Sequence, residues 1–126
     1  MRTINFKAKR LDNKEWTCGY FYEENDNTYI IENRQKESIL NRNITHEVDP
    51  ATVCQFTGLK DENGKEVWEH DILASPCLKG EVVFFNGCFC VKKDNGLSYP
   101  FSTLIVIDGK IDYCCVVENR FDRKEE

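Results

Sequence analysis

The stretch Glu81-Val82-Val83-Phe84-Phe85-Asn86-Gly87-Cys88-Phe89-Cys90-Val91-Lys92 carries two runs rich in β-branched and aromatic residues on either side of Asn-Gly. Both residues of that pair accept positive φ, which the tight two-residue hairpin turn demands. The stretch therefore reads as a β-hairpin. The same punctuation recurs at Asn63-Gly64, Asn95-Gly96 and Asp108-Gly109. With Asp71–Ala74, Leu104–Ile107 and Ile111–Val117 added to the two runs, five short strands fall within roughly 60 residues, the spacing of a small closed or nearly closed barrel.

Upstream, the pattern is also that of strands. Ile4, Phe6 and Ala8 alternate with polar residues, and Trp16, Cys18, Tyr20 and Tyr22 fall on one face of a second strand. Glu23–Asn27 makes a turn, and Tyr29-Ile30-Ile31 reads as a third strand. Residues 34–43 are polar and without period, a loop or a short helix. Asp49-Pro50 has a helix-start signature, with Asp49 as cap and Pro50 at the first position, but only one turn fits before Gln55-Phe56-Thr57-Gly58. The expected fold is mostly β with little helix. An N-terminal meander lobe, residues 1–49, packs on a C-terminal barrel lobe, residues 50–126, as one compact unit.

The size and composition suit such a domain. The chain has 126 residues, 40% of them hydrophobic and 12% aromatic, enough for a core. No apolar run approaches the roughly 18 residues that span a bilayer, and the N-terminus lacks the apolar region of a secretory signal. A location inside the cell, away from membranes, is expected. Seven cysteines in such a setting read as reduced thiols, mostly buried as small hydrophobes. The net charge is −5, and residues 50–126 hold 13 acidic against 9 basic groups. A duplex-binding protein usually carries a basic stripe instead.

Residues 47–72, Glu-Val-Asp-Pro-Ala-Thr-Val-Cys-Gln-Phe-Thr-Gly-Leu-Lys-Asp-Glu-Asn-Gly-Lys-Glu-Val-Trp-Glu-His-Asp-Ile, are similar to the central signature of the YopX family of phage and prophage proteins. Ile4–Ala8 with Glu15-Trp16 and Gly19-Tyr20 resembles the family's first hairpin. Gly80–Phe84, Gly87–Phe89 and Val116–Phe121 resemble its later strands. His70 stands where the family usually has Gly, and Cys54 where a small residue is common. The resemblance implies a phage or prophage origin and a host cytoplasm, and it carries over no catalytic residue. Glu69-His70-Asp71-Ile72 resembles the turn that starts SH3-like barrels. His70 must then take a left-handed conformation or a different turn.

The chemistries that can be weighed from spacing are few. Gly58 to Gly64 has the wrong interval for a phosphate loop, and Asp61-Glu62-Asn63-Gly64 lacks the distal Glu of a calcium loop. Cys88 and Cys90 with Cys114 and Cys115 supply four thiols, but neither C-x-C nor C-C has the two-to-four-residue interval of paired zinc ligands. Two His, 46 and 70, could pair with a thiol, yet no nucleophile elbow accompanies any cysteine. No catalytic, cofactor or metal residue is assigned, and no cofactor is expected.

Two partner classes remain open, with a thiol-based enzyme or zinc protein as the lesser alternative. The favoured reading is a non-enzymatic module that binds a host or phage protein, with the acidity pointing to a basic partner. The rival is a nucleic-acid accessory protein whose first hairpin offers Lys7, Lys9 and Arg10 for phosphates and Trp16 and Tyr20 for stacking. The expectation against it is that the aromatic face of the meander packs against the second lobe, as such side chains dominate cores. Homo-oligomerisation stays open.

Overall fold

A computed structural model describes residues 4–32, 44–76, 79–112 and 114–122. The segment 34–43, read above as a loop or short helix, lies outside them. The described residues form thirteen strands and three single 3-10 turns, with no α-helix among them. The chain divides into two compact units, with the boundary between Gln55 and Phe56.

The first unit is an antiparallel meander of β1 (Phe6–Lys9), β2 (Trp16–Glu24), β3 (Asn27–Glu32) and β4 (Thr45–Val48), each paired with the next. Cys54 and Gln55, which open β5 (Cys54–Lys60), pair with the free side of β1. The meander curls. Arg10 bridges Val48, and the Asp49 amide donates to the Lys9 carbonyl at 2.9 Å. Ala8, Ile30 and Val48 are buried inside the curl, with Phe6 and Val53 against them. The one-turn segment Pro50–Thr52 follows its sequence signature, for the Asp49 carboxylate accepts from the Ala51 amide and Pro50 sits at the start. Thr52 Oγ1 then accepts from the Lys9 amide and ties the turn to β1.

The aromatic side of β2 is its exposed side. Thr17 is buried and Gly19 lies on its face, whereas Tyr20 is 56% exposed and Cys18 is also exposed. The concave side of a curled sheet has little room, so Ala8, Thr17 and Gly19 face in. At Gly19 a β-carbon would stand 1.9 Å from the Ile31 carbonyl oxygen. The bulky alternate residues Trp16, Tyr20 and Tyr22 are left on the convex side.

In the second unit the latter part of β5 pairs with β6 (Glu66–Trp68) across the Asn63-Gly64 turn. A five-stranded sheet runs in the order β10 (Ser98–Pro100), β9 (Cys88–Lys92), β8 (Lys79–Phe85), β7 (Asp71–Ala74), β13 (Cys115–Asn119). The hairpin β11 (Val106–Ile107) and β12 (Lys110–Ile111) adds to β5 through Lys110 and Lys60. Val67, Leu73, Val82, Val91, Ile111 and Cys114 form the buried core.

Three buried polar residues fasten this unit. Asp61 Oδ1 accepts from the Asn63 and Lys65 amides and Oδ2 from the Val116 amide, all at 2.9 Å. Asp71 accepts from the Trp68 amide at 2.8 Å and from the Asn119 side-chain amide at 2.9 Å. Buried carboxylates persist when both oxygens accept hydrogen bonds in this way. The residues of the 47–72 signature thus hold the fold.

The barrel expectation needs correction. The described residues form two open sheets, with no closed barrel. β10 and β13 end the five-stranded sheet and β12 hydrogen-bonds to β5 instead. Pro100, which lacks an amide donor, ends β10, and the 3-10 turn Phe101–Thr103 leads the chain away. The stretch read as one strand over 111–117 is split between β12 and β13.

Candidate functional site

On the convex side of the first unit, Lys9 lies opposite Trp16 and Lys7 opposite Cys18. The Lys7 and Lys9 ammonium groups sit 4.5 and 5.4 Å from the Trp16 ring centre, cation–π distances. Along the same face Tyr20 is exposed, and Tyr22 stacks on Tyr29 with centroids 5.0 Å apart. The structure therefore brings together four of the five sequence candidates. Arg10 departs from them: its guanidinium is bound to the Asp12 carboxylate, Nε to Oδ1 at 2.9 Å, and that bond holds the Asp12 carboxyl below the usual range. The cationic cluster shrinks from three to two.

His70 takes the left-handed conformation, φ 71°, one of the two alternatives its position allows. Its amide donates to the Val82 carbonyl at 2.7 Å, and its carbonyl accepts from the Arg120 amide at 2.8 Å. The ring Nδ1 is 2.9 Å from Glu81 Oε2, which lies 3.6 Å from Arg120 Nη1, and the ring meets Phe121 edge-on. Its neighbours are carboxylates and a phenyl ring, an anchoring set for the β6–β7 corner. His46 Nε2 lies 3.4 Å from Glu32.

The outer face of the five-stranded sheet holds a feature the sequence reading missed. Val82 and Val91 pair on the buried face, so Val83 with Cys90 and Phe85 with Cys88 pair on the other. Val83, Phe85, Leu97 and Lys92 line an open groove of about 420 Å³. Phe85 is 54% and Leu97 55% exposed. One signal was present: two successive Phe on a strand cannot both face the core, and Phe84-Phe85 runs directly into the Asn86-Gly87 turn. Asn86 and Gly87 both have positive φ, the geometry that the tight turn requires.

Beside this groove the Cys88 and Cys90 sulfurs are 3.7 Å apart, and each lies within 3.7 Å of the Phe85 carbonyl oxygen. Cys90 is 2% exposed, and burial together with the Cys88 contact pushes its thiol pKa up. Cys114 sits in the core, and Cys115 Sγ donates to the Ala74 carbonyl. Among the described residues no set of three or more His, Cys, Asp or Glu side chains is arranged to hold a metal ion. No helix among them is long and apolar enough to cross a membrane.

The profile described as YopX protein matches residues 5–117. No curated protein matches the chain.

Proposed function

The chain belongs to the YopX family, and we propose that it is a non-enzymatic phage or prophage accessory module that binds a host or phage protein. The observation that carries this reading is the groove on the outer face of β8–β10, where Phe85 and Leu97 stand more than half exposed. Contiguous apolar surface of this kind costs free energy in water and suits a partner's apolar side chains. Net acidity alone favours a basic partner, but the groove has its own local charge. Lys92 lines it. The fitting occupant is a protein segment with apolar residues flanked by a carboxylate.

The test is capture from the host lysate by immobilised protein, with and without nuclease. A protein retained by the wild type and lost with Phe85→Asp and Leu97→Asp supports the reading, provided both variants keep their fold. Retention by both variants, or loss on nuclease treatment, overturns it.

A second reading is favoured by one observation, the outward aromatic face with Lys7 and Lys9 over Trp16. Single-stranded nucleic acid stacks on such faces. With Arg10 held by Asp12, two phosphate contacts give a salt slope of only about −1.4. Fluorescence anisotropy should then find affinity no tighter than about 10 μM for random oligonucleotides, within the range of non-specific binding. Sub-micromolar, steeply salt-dependent binding abolished by Lys7→Glu with Lys9→Glu would promote this reading over the first.

A further inference from the structure

The geometry points to Cys88 and Cys90 as a redox-active dithiol that closes an internal disulfide with low-molecular-weight disulfides. Three observations converge. The sulfurs are 3.7 Å apart on one face of β9, so closing the bond to about 2.05 Å takes a movement of less than 2 Å. The two thiols are unequal: Cys88 is half-buried and reachable, whereas Cys90 is buried. Cys88 follows directly after the Asn86-Gly87 turn, where the strand begins.

The inequality sets the order of events. The Cys88 thiolate attacks one sulfur of the external disulfide, forming a mixed disulfide and expelling one thiolate. Cys90 then attacks the Cys88 sulfur, gives up its proton, and releases the second external thiol. The external disulfide is reduced to two thiols and the protein loses two hydrogens. Burial raises the Cys90 thiol pKa and shields it, so Cys88 is the thiol that meets the external disulfide first, and Cys90 loses its proton as it attacks the mixed disulfide held next to it. Residues i and i+2 of an extended strand have Cα atoms about 6.7 Å apart, at the outer limit for a disulfide. The bond is therefore strained and readily reduced again, the behaviour of a reversible pair.

The position of the pair gives the reaction a consequence. Both thiols lie within 3.7 Å of the Phe85 carbonyl oxygen, and Cys88 is the register partner of Phe85. Oxidation removes two S–H donors there and shifts the end of the groove that Phe85 lines. This part rests on the docking reading of the groove; the chemistry does not.

The experiment treats the full chain with excess oxidised glutathione and maps the products by peptide mass spectrometry, which separates this pair from the other thiols. The expected product is a Cys88–Cys90 bond. Cys90→Ser should stop at a glutathione adduct on Cys88, and Cys88→Ser should leave Cys90 reacting at least tenfold more slowly than Cys88 does in the wild type. A stable adduct on wild-type Cys88 with no internal bond overturns the proposal, as does equal reactivity of the two thiols. The oxidised protein is then put through the lysate capture. If the bond forms and a captured protein is held equally in both states, the control of docking fails while the dithiol and the docking site stand. If the bond forms and nothing is captured in either state, the docking reading fails alone.

Discussion

Asp61 accepts three backbone N–H bonds from a position only 1% exposed, joining the Asn63-Gly64 turn to β13. Asp61→Ala strands those donors and should cost about 4 kcal/mol in urea unfolding, since bonds to a charged acceptor contribute about 1.5–3 kcal/mol each and the loop relaxes. Asp61→Asn keeps one oxygen and should cost about half as much. An equal, small effect of the two substitutions would contradict the anchoring role. At position 70 the backbone and the side chain pull in opposite directions. A β-carbon at φ 71° costs about 1–2 kcal/mol, while the ring gains a hydrogen bond to Glu81 and an edge contact with Phe121. His70→Ala loses the contacts and keeps the strain, whereas His70→Gly loses both. The Gly variant should therefore be the more stable of the two by about 1 kcal/mol. The need for a permissive backbone here could be read from the sequence. The partners of the ring could not, because Glu81 and Phe121 approach only through the sheet.

At the scale of elements, β7 and β9 could be placed from the sequence to the residue, and for β9 the reason is the Asn86-Gly87 turn, whose backbone requirement marks where the strand starts. Asn86 and Asp108 both have positive φ, as do the glycines that follow them. The face of β2 was not legible. Period-2 alternation states that Trp16, Cys18, Tyr20 and Tyr22 share a side, but not which side is the inside of a curl. The small residues Ala8, Thr17 and Gly19 decide it, through a register that only pairing reveals. Gly19→Ala should destabilise the protein by about 3 kcal/mol, because the new β-carbon meets backbone that a side chain cannot relieve. Wild-type stability in the variant would contradict the close β2–β3 approach. Nor could β4 and the pairing of β12 with β5 be read, since both depend on contacts between residues far apart in sequence. β11 ends its sheet with Val106 and Ile107 exposed beside an exposed Ile105. Edges of this kind invite association, so Ile107→Lys should lower aggregation on concentration, measured by light scattering, without loss of stability.

For the molecule as a whole, composition and turn signals established a mostly β chain. They could not establish whether its strands close, because closure depends on what the last strand of a sheet pairs with. Here Pro100 and the turn after it end one sheet, and β12 joins β5. The candidate sites follow the same logic. The cations and aromatics of the first hairpin were visible as residue types, whereas the groove of β8–β10 and the dithiol beside it arise from cross-strand register. The central claim is that this groove is the docking surface. It is tested most directly by the backbone amide shifts of the isotope-labelled protein on titration with the protein it captures. The account predicts that the largest shifts cluster between residues 81 and 98, with residues 7–22 unmoved. A cluster on residues 7–22 with the groove unmoved would contradict it.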